Sequence, residues 1–319
     1  MRQTADVLCA GILVADHVCT PIDHLPAEGE LVLADRILLT LGGCAANVAV
    51  GLARMGIGAA VAGRVGGDVF GRIVSDLLRE SGVDVSAVTV SPGVDTSQTL
   101  IVNVKGHDRR FIHTFGANAL FRSGDIPADL AARCRVLYLG GYFILDAVTQ
   151  EELVPVFAAA RRGGARTVLD VVTPGPADYL PRLEKLLPQV DIFLPNDHEA
   201  ALISGESDPI RQADRFRALG AKTVVITRGD RGAVLVSDRA RLRSGTFPVN
   251  YVDGSGGGDA FGAGYIAGLL RGLDEAGCLR LASALGASCV RAIGTTTGVF
   301  TAAECESFLK QNELKIEAI

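Results

Sequence analysis

The stretch Asp253-Gly-Ser-Gly-Gly-Gly-Asp259-Ala-Phe-Gly-Ala-Gly264 holds the residues best suited to chemistry. Gly256, Gly257 and Gly258 run ahead of an apolar helical pattern carrying Ile266, Leu269 and Leu270. Without Cβ atoms their backbone N–H groups can converge, and a helix dipole adds positive potential, so the loop suits an anion such as the transferred group of a nucleotide. Asp259 falls in the first helical turn, where the same dipole keeps a carboxylate ionised and able to accept a proton. Taken alone, the loop reads more readily as a tight turn closed by a capping aspartate. A dinucleotide fingerprint fails, because Phe261 stands where the last glycine should be when counted from Gly256, and the loop lies far from the first strand. No Gly-Lys pair occurs, which excludes a Walker A loop.

Two further constellations lie upstream. In Leu41-Gly42-Gly43-Cys44-Ala-Ala-Asn47 the glycines permit close approach of a ligand, and the Asn47 amide, donor and acceptor at once, suits a sugar hydroxyl. In Leu194-Pro-Asn196-Asp-His-Glu199, Asn196 and Glu199 share one side of a helical turn at a strand end and could hold hydrated Mg²⁺. The same pair also spells a helix-capping box. His198-Glu199 makes no zinc protease, since no second His follows at the required spacing.

The elements that must position these residues read as α/β. Arg135 to Leu139, Arg166 to Asp170, Asp191 to Leu194, Thr223 to Thr227 and Ala233 to Val236 are short strands, mostly apolar on both faces, as parallel strands under helices are. Val148 to Arg162 and Pro209 to Leu219 are crossover helices, so the sheet is mostly parallel. Val7 to Ala15 reads as a buried first strand, Phe247 to Val252 as extended, and Glu304 to Ile319 as a surface helix. Glu30 to Leu39 and Ser97 to Phe115 have strand character without a helix between them. The second carries Lys105-Gly106-His107-Asp108 as a hairpin loop. Together they predict a small separate β-sheet, either a lid over a cleft or a dimer surface.

Composition bounds the partners. The 319 residues carry 31 Lys+Arg against 36 Asp+Glu, a net charge of −5, which argues against nucleic acid or an acidic membrane as partner. No apolar run is long enough to span a bilayer, and Val7 to Ala15 lacks the flanks of a signal peptide. The seven cysteines are scattered and never spaced C-x-x-C, which predicts a reducing cytoplasm without disulfides or zinc.

In combination the three constellations resemble the ribokinase-like, or PfkB, carbohydrate kinase family. Gly42-Gly43-Cys44-Ala45-Ala46-Asn47 with Ala49, Gly56 and Gly66 matches its N-terminal signature. Asp253, Ser255, Gly256, Gly257, Gly258, Asp259, Ala263 and Gly264 match its C-terminal one, with Asn196, Glu199, Thr227, Gly229, Gly232 and Ala233 between. One departure stands out: Gly254 occupies a position where the family usually has Thr, Ser, Pro or Val, which bears on the rigidity of the loop.

The resemblance implies a three-layer α/β/α fold over residues 1–319, one kinase domain with lid segments at about 12–40 and 95–118. It implies transfer of the γ-phosphoryl group of ATP to a sugar hydroxyl, with Asp259 as base and the N–H groups of Gly256, Gly257 and Gly258 as the anion hole. Asn196 and Glu199 would act on Mg²⁺ through water, Thr227 and Gly229 would line the nucleotide, and the adenine would lie near Leu281 to Arg291. Asp253 and Ser255, with carbonyls from Ala292 to Thr297, would hold K⁺ if the enzyme uses it. Asp16, Gly42, Gly43, Asn47 and, at the lid junction, Asn118 would meet the acceptor. Cys44 stands where ribokinases proper carry Lys, so fructose and ketodeoxygluconate types join ribose as acceptors. A nucleoside kinase of the same family and a non-catalytic sugar or nucleotide sensor are the other readings. An exposed lid edge needs cover, which predicts a homodimer through the lid.

Overall fold

The computed structural model describes residues 5–107 and 109–319; Asp108 of the expected hairpin loop lies outside them. In chain order the strands are β1 (Val7–Gly11), β2 (Val14–Ile22), β3 (Ile37–Gly42), β4 (Ala59–Gly66), β5 (Asp84–Ser91), β6 (Gln98–Val104) and β7 (Arg110–Thr114). They continue as β8 (Val136–Gly140), β9 (Arg166–Leu169), β10 (Ile192–Phe193), β11 (Thr223–Thr227), β12 (Ala233–Ser237), β13 (Arg241–Ser244) and β14 (Ile316–Ala318). The helices are α1 (Cys44–Arg54), α2 (Val69–Glu80), α3 (Ala128–Ala131), α4 (Gln150–Arg162) and α5 (Asp197–Ser204), then α6 (Pro209–Ala218), α7 (Gly257–Leu270), α8 (Glu275–Cys289) and α9 (Ala302–Gln311).

The large sheet has the order β14-β13-β12-β11-β10-β9-β8-β1-β4-β5, parallel from β11 to β5 and antiparallel at the β12, β13 and β14 edge. Its central strands are apolar on both faces because each face has its own core. Val7, Cys9, Val136 and Tyr138 point to one side, with α1, α7 and α8 residues such as Leu52, Tyr265 and Leu285. Their alternate neighbours Leu8, Ala10, Leu137 and Leu139 point to the other, with Leu153, Phe157 and Phe216 of α4 and α6. This is the expected ribokinase-like architecture, helices on both sides of a mostly parallel sheet.

The small sheet has the order β3-β2-β6-β7, and β6 pairs with β7 as an antiparallel hairpin, as expected. Its extent differs from the sequence reading. The first strand stops at Gly11, whose φ of +132 and 2.2 Å approach of a virtual Cβ to Gly140 O admit only glycine. After Ile12 and Leu13 the chain starts β2, which joins the small sheet. In the Glu30 to Leu39 stretch regular structure begins only at Ile37. Phe247 to Val252 joins no sheet, and Val252 N bonds to Val290 O at 2.8 Å. The expected C-terminal helix ends at Gln311, and the chain returns as β14 against β13, which satisfies an otherwise open edge.

In-register partners give the small sheet two unlike faces. Thr40, Asp16, Thr99 and His113 form one row, and Leu39, His17, Leu100 and Ile112 form the next, on the opposite side. The polar row carries Asp16, whose carboxyl is pushed up by burial first and then by the charges of Asp259 and Asp253 around the start of α7.

Candidate active site

A cavity of about 190 Å³ opens where β9, β10 and β11 end, the place at which open α/β sheets collect ligands. Its walls include Cys44, Asp170, Asn196, Glu199, Thr227, Gly256, Gly258 and Asp259. The structure therefore brings together residues from all three sequence constellations.

Gly256 is the N-cap of α7, with φ +74, and a Cβ there would come 2.3 Å from Thr295 O. Glycine is required by both conformation and space. At Gly258, in contrast, a Cβ would meet nothing within 4 Å, so the missing side chain leaves the first turn of α7 open. Within this turn Gly257 N bonds to Gly254 O at 3.3 Å, while Gly256 and Gly258 border the cavity at the positive end of the helix dipole. Gly286 of α8 packs against the same turn, 3.2 Å from Gly257 O to its virtual Cβ, so the Leu281 to Arg291 segment lies beside the loop.

Asp259 sits in that first turn and accepts a 2.8 Å hydrogen bond from Asn47 Nδ2. Asn47, 4% exposed, is held in turn at Oδ1 by the Thr295 hydroxyl, 2.8 Å away. Burial pushes the Asp259 carboxyl up, and the bonds from Asn47 and the Cys44 thiol oppose that rise. Asn47 thus orients the carboxylate, and the amide carries a second N–H besides the one it donates.

Asn196 caps α5: its Oδ1 accepts from Glu199 N and Glu199 Oε2 accepts from Asn196 N, both at 2.9 Å. The capping box and the cavity wall are one arrangement, since both residues line the cavity while closing the helix end. Glu199 is pushed up to about 7, chiefly by burial and further by the Asp259 charge, against the bonds from Asn196. Asp170, at the end of β9, is pushed well above the carboxylate range by burial and by the charges of Glu199 and Asp259, although Tyr138 Oη donates to it at 2.8 Å.

Sequence reasoning missed Asp170, yet the strand-end rule that singled out Asn196 applies to it equally. Three mutually repelling carboxylates around one cavity offer hard oxygen donors, and this donor set fits Mg²⁺. Burial raises the Cys44 thiol, which keeps it protonated and a poor ligand despite its place beside Asp170 and Asp259.

Asp16, which is not among the cavity's walls, is 5% exposed and lifted to about 6, first by burial and then by the charges of Asp259 and Asp253, with the Thr99 bond opposing. Gly42 makes room for it: a Cβ there would lie 2.1 Å from Asp16 Oδ2. Gly43 caps α1 with φ +92. Asn118 is buried, and both ends of its amide are taken by Leu13, Nδ2 donating to the carbonyl at 2.9 Å and Oδ1 accepting from the N–H at 3.2 Å. It pins the junction between the two sheets and thereby fixes where β2 starts. Thr227 lines the cavity, whereas Gly229 opens a short turn beyond β11 and is not among its walls.

Asp253 is 4% exposed and accepts from Ser255 N at 2.9 Å and Gly294 N at 3.1 Å. Arg109, from the β6–β7 loop, donates to Ser255 Oγ at 2.9 Å and lies 3.4 Å from Asp253 Oδ1. The two residues expected beside K⁺ therefore already hold a guanidinium, and this donor set fits a further cation poorly.

The sequence matches the family model described as pfkB family carbohydrate kinase over residues 4–302. The chain belongs to this family. Among curated relatives of this PfkB kinase, a nucleoside kinase from Methanothermobacter thermautotrophicus is 27% identical over 304 residues, covering 94% of each chain. A ribokinase from Haemophilus influenzae is 28% identical over 319 residues, 97% of this chain and 99% of that one. The structure of Arabidopsis thaliana ribokinase complexed with ribose and ATP superposes with a TM-score of 0.82 at 22% identity, over 97% of this chain and 99% of that one. The fold is thus ribokinase-like and the reaction class is that of an ATP-dependent sugar kinase. Among the described residues no helix is long and apolar enough to cross a membrane.

Proposed function

We propose that this PfkB kinase moves the γ-phosphoryl group of ATP to a hydroxyl of a small sugar or sugar acid, of the ribose, fructose or ketodeoxygluconate type, with Asp259 as base. The observation that carries this reading is the position of Asp259: first turn of α7, beside the glycines that open the helix, and oriented by Asn47 at 2.8 Å. In the reaction the acceptor oxygen bonds to the γ-phosphorus while its proton passes to the Asp259 carboxylate, and the bond from phosphorus to the β,γ-bridging oxygen breaks to release ADP. A positioned base contributes about 10² to 10⁴ in rate. The N–H groups of Gly256, Gly257 and Gly258 stabilise charge on the phosphoryl oxygens.

Glu199 and Asp170, with Asn196 through water, would hold Mg²⁺. When bound, that ion neutralises phosphate charge. Asp16, with Gly42 and Gly43 leaving space around it, would accept hydroxyls of the acceptor, and Thr227 would border the nucleotide. No step is assigned to K⁺. We further take residues 1–319 as one kinase domain that works in the cytoplasm, in keeping with seven free cysteines, and pairs into a homodimer through its small sheet.

A nucleoside is the second acceptor class, favoured by the full-length likeness to a nucleoside kinase. The deciding experiment is ADP release with ATP and Mg²⁺ over ribose, fructose, ketodeoxygluconate and adenosine, using wild type and Asp259→Asn. Turnover with one free sugar, lost in the variant, is expected. Equal turnover in both proteins would remove Asp259 as base. Thermal stabilisation by adenosine and by no free sugar would move the assignment to nucleosides.

A further inference from the structure

Gly254 has no backbone reason to be glycine, since its φ is not among the positive ones. Its reason is space. A Cβ at this position would lie 2.8 Å from Tyr251 Oη and 3.1 Å from Arg109 Nη2. Both are the far ends of long side chains, so a larger residue would displace those ends rather than the loop itself. Tyr251 is the nearer of the two; the other, Arg109, reaches across from the small sheet. Arg109 ends the β6–β7 loop, its guanidinium stands 5.6 Å from the Phe111 ring centroid, and its Nη1 bonds to Ser255 Oγ at 2.9 Å. The contact spans from a lid hairpin to the loop whose N–H groups form the anion hole.

We propose that Gly254 is the seat of a latch, and that Arg109 is a positioning residue that couples closure of the small sheet to the order of the anion loop. A planar guanidinium presents several donors in a fixed fork, so one side chain can bond Ser255 Oγ and approach the buried Asp253 carboxylate together. Asp253 in turn bonds the Ser255 and Gly294 amides, which places Arg109 one contact from the backbone on both sides of the anion loop. β6, which leads into the Arg109 loop, pairs directly with β2, where Asp16 sits. Through this latch, closure over the acceptor would also order the phosphate site. The departure at position 254 acts through this seat and not through looser backbone. The role in phosphoryl transfer rests on the kinase reading; the latch itself does not.

Hydrogen exchange of residues 251–258, measured by mass spectrometry in the unliganded protein and with Mg²⁺ and the non-hydrolysable analogue AMP-PNP, tests this. Arg109→Met and Gly254→Ala should each speed exchange in this segment by about fivefold, the loss of roughly one net hydrogen bond. The double variant should exchange no faster than either single, because both remove the same contact. Arg109→Lys, which keeps a charge, should retain part of the protection, whereas a purely space-filling role would treat Lys and Met alike. Exchange of residues 136–140 in β8 reports whether the fold is intact. Unchanged exchange at 251–258 in Arg109→Met, or effects that multiply in the double variant, would overturn the latch. Should Arg109→Met not fold, Gly254→Ala against Arg109→Lys decides in the same way. Coupled exchange without AMP-PNP binding would retain the latch and sink the kinase reading.

Discussion

Asn47 and Asp259, 212 positions apart in the chain, meet through one 2.8 Å hydrogen bond that joins the first turns of α1 and α7. The bond stabilises the charged carboxylate against the burial that pushes it up. Removing it leaves burial unopposed at that oxygen, so the pKa of Asp259 rises further. For Asn47→Ala we expect the acidic limb of the kcat profile to move upward by about one to two pH units, since a bond to a charged group is worth roughly that much. Activity lost on the acidic side of the profile should return in part as the pH is raised. An acidic limb that stays in place while kcat falls at every pH would show that Asn47 serves the acceptor alone.

Asp16 makes the opposite kind of prediction, a stability gain on removal. Its carboxyl is raised from an ordinary 3.8 to about 6, so the folded chain holds its proton more tightly than the unfolded chain does. Stability from this group is full below the unfolded value and is lost as pH rises through about 6. The displacement corresponds to on the order of 3 kcal/mol above that pH, as an upper figure. Asp16→Asn should therefore raise Tm at pH 8 and change it little at pH 4, while acceptor turnover drops. Equal Tm shifts at both pH values would contradict an ionised Asp16 in the folded protein.

Gly256 and Gly258 separate fold from chemistry within one loop. At Gly256 an added methyl meets φ +74 and Thr295 O at 2.3 Å, so Gly256→Ala should cost about 1–3 kcal/mol of stability along with activity. Gly258→Ala meets no protein atom and should leave Tm within a degree or so. On the proposed mechanism its methyl would stand in the path of the phosphoryl group, and kcat should fall by on the order of 10². Thermal melts read beside initial rates distinguish the two variants.

Much of this was legible in the residues. Strands such as Thr223–Thr227 show as β-branched runs because both faces are buried, and the glycine-rich loop shows because Gly256 must be glycine and its neighbours leave the helix start bare of side chains. Asp259, Glu199 and Asn196 could be placed because their neighbours define a helix start. The small sheet was read less well, since β2 begins as an apolar run continuous with β1, and only the contact of Gly11 with Gly140 reveals where the first sheet is left. Asp170 hid for a related reason: it ends a strand without any flanking signal, and its partners Tyr138, Glu199 and Asp259 are distant in sequence. Asn118 looked like an acceptor group, but its clamp on Leu13 is a tertiary contact that spacing cannot show. Arg109 was silent because its target, Ser255, lies 146 residues away.

The face of the small sheet opposite Asp16 carries the last prediction. Leu39, Leu100 and Ile112 stand in one cross-strand row and are 36%, 40% and 67% exposed, with Ile37 beside them at 70% and Leu31 and Leu33 above 80% in the preceding segment. Single exposed apolar residues are ordinary, but several on one face of a four-stranded sheet with open β3 and β7 edges, where Phe70 of α2 packs against His17 of the row, call for a further cover. The cover we expect is the same face of a second copy, because a self-complementary apolar row suits a two-fold axis. Such an interface would need to bury about 1,200–2,000 Å² in total to be stable. Sedimentation at micromolar concentration should give twice the 33.3 kDa chain mass. Ile112→Glu places a charge at the centre of the row and should yield a folded monomer, with near-wild-type circular dichroism. A wild-type monomer under the same conditions would leave the patch without this partner and would overturn the homodimer.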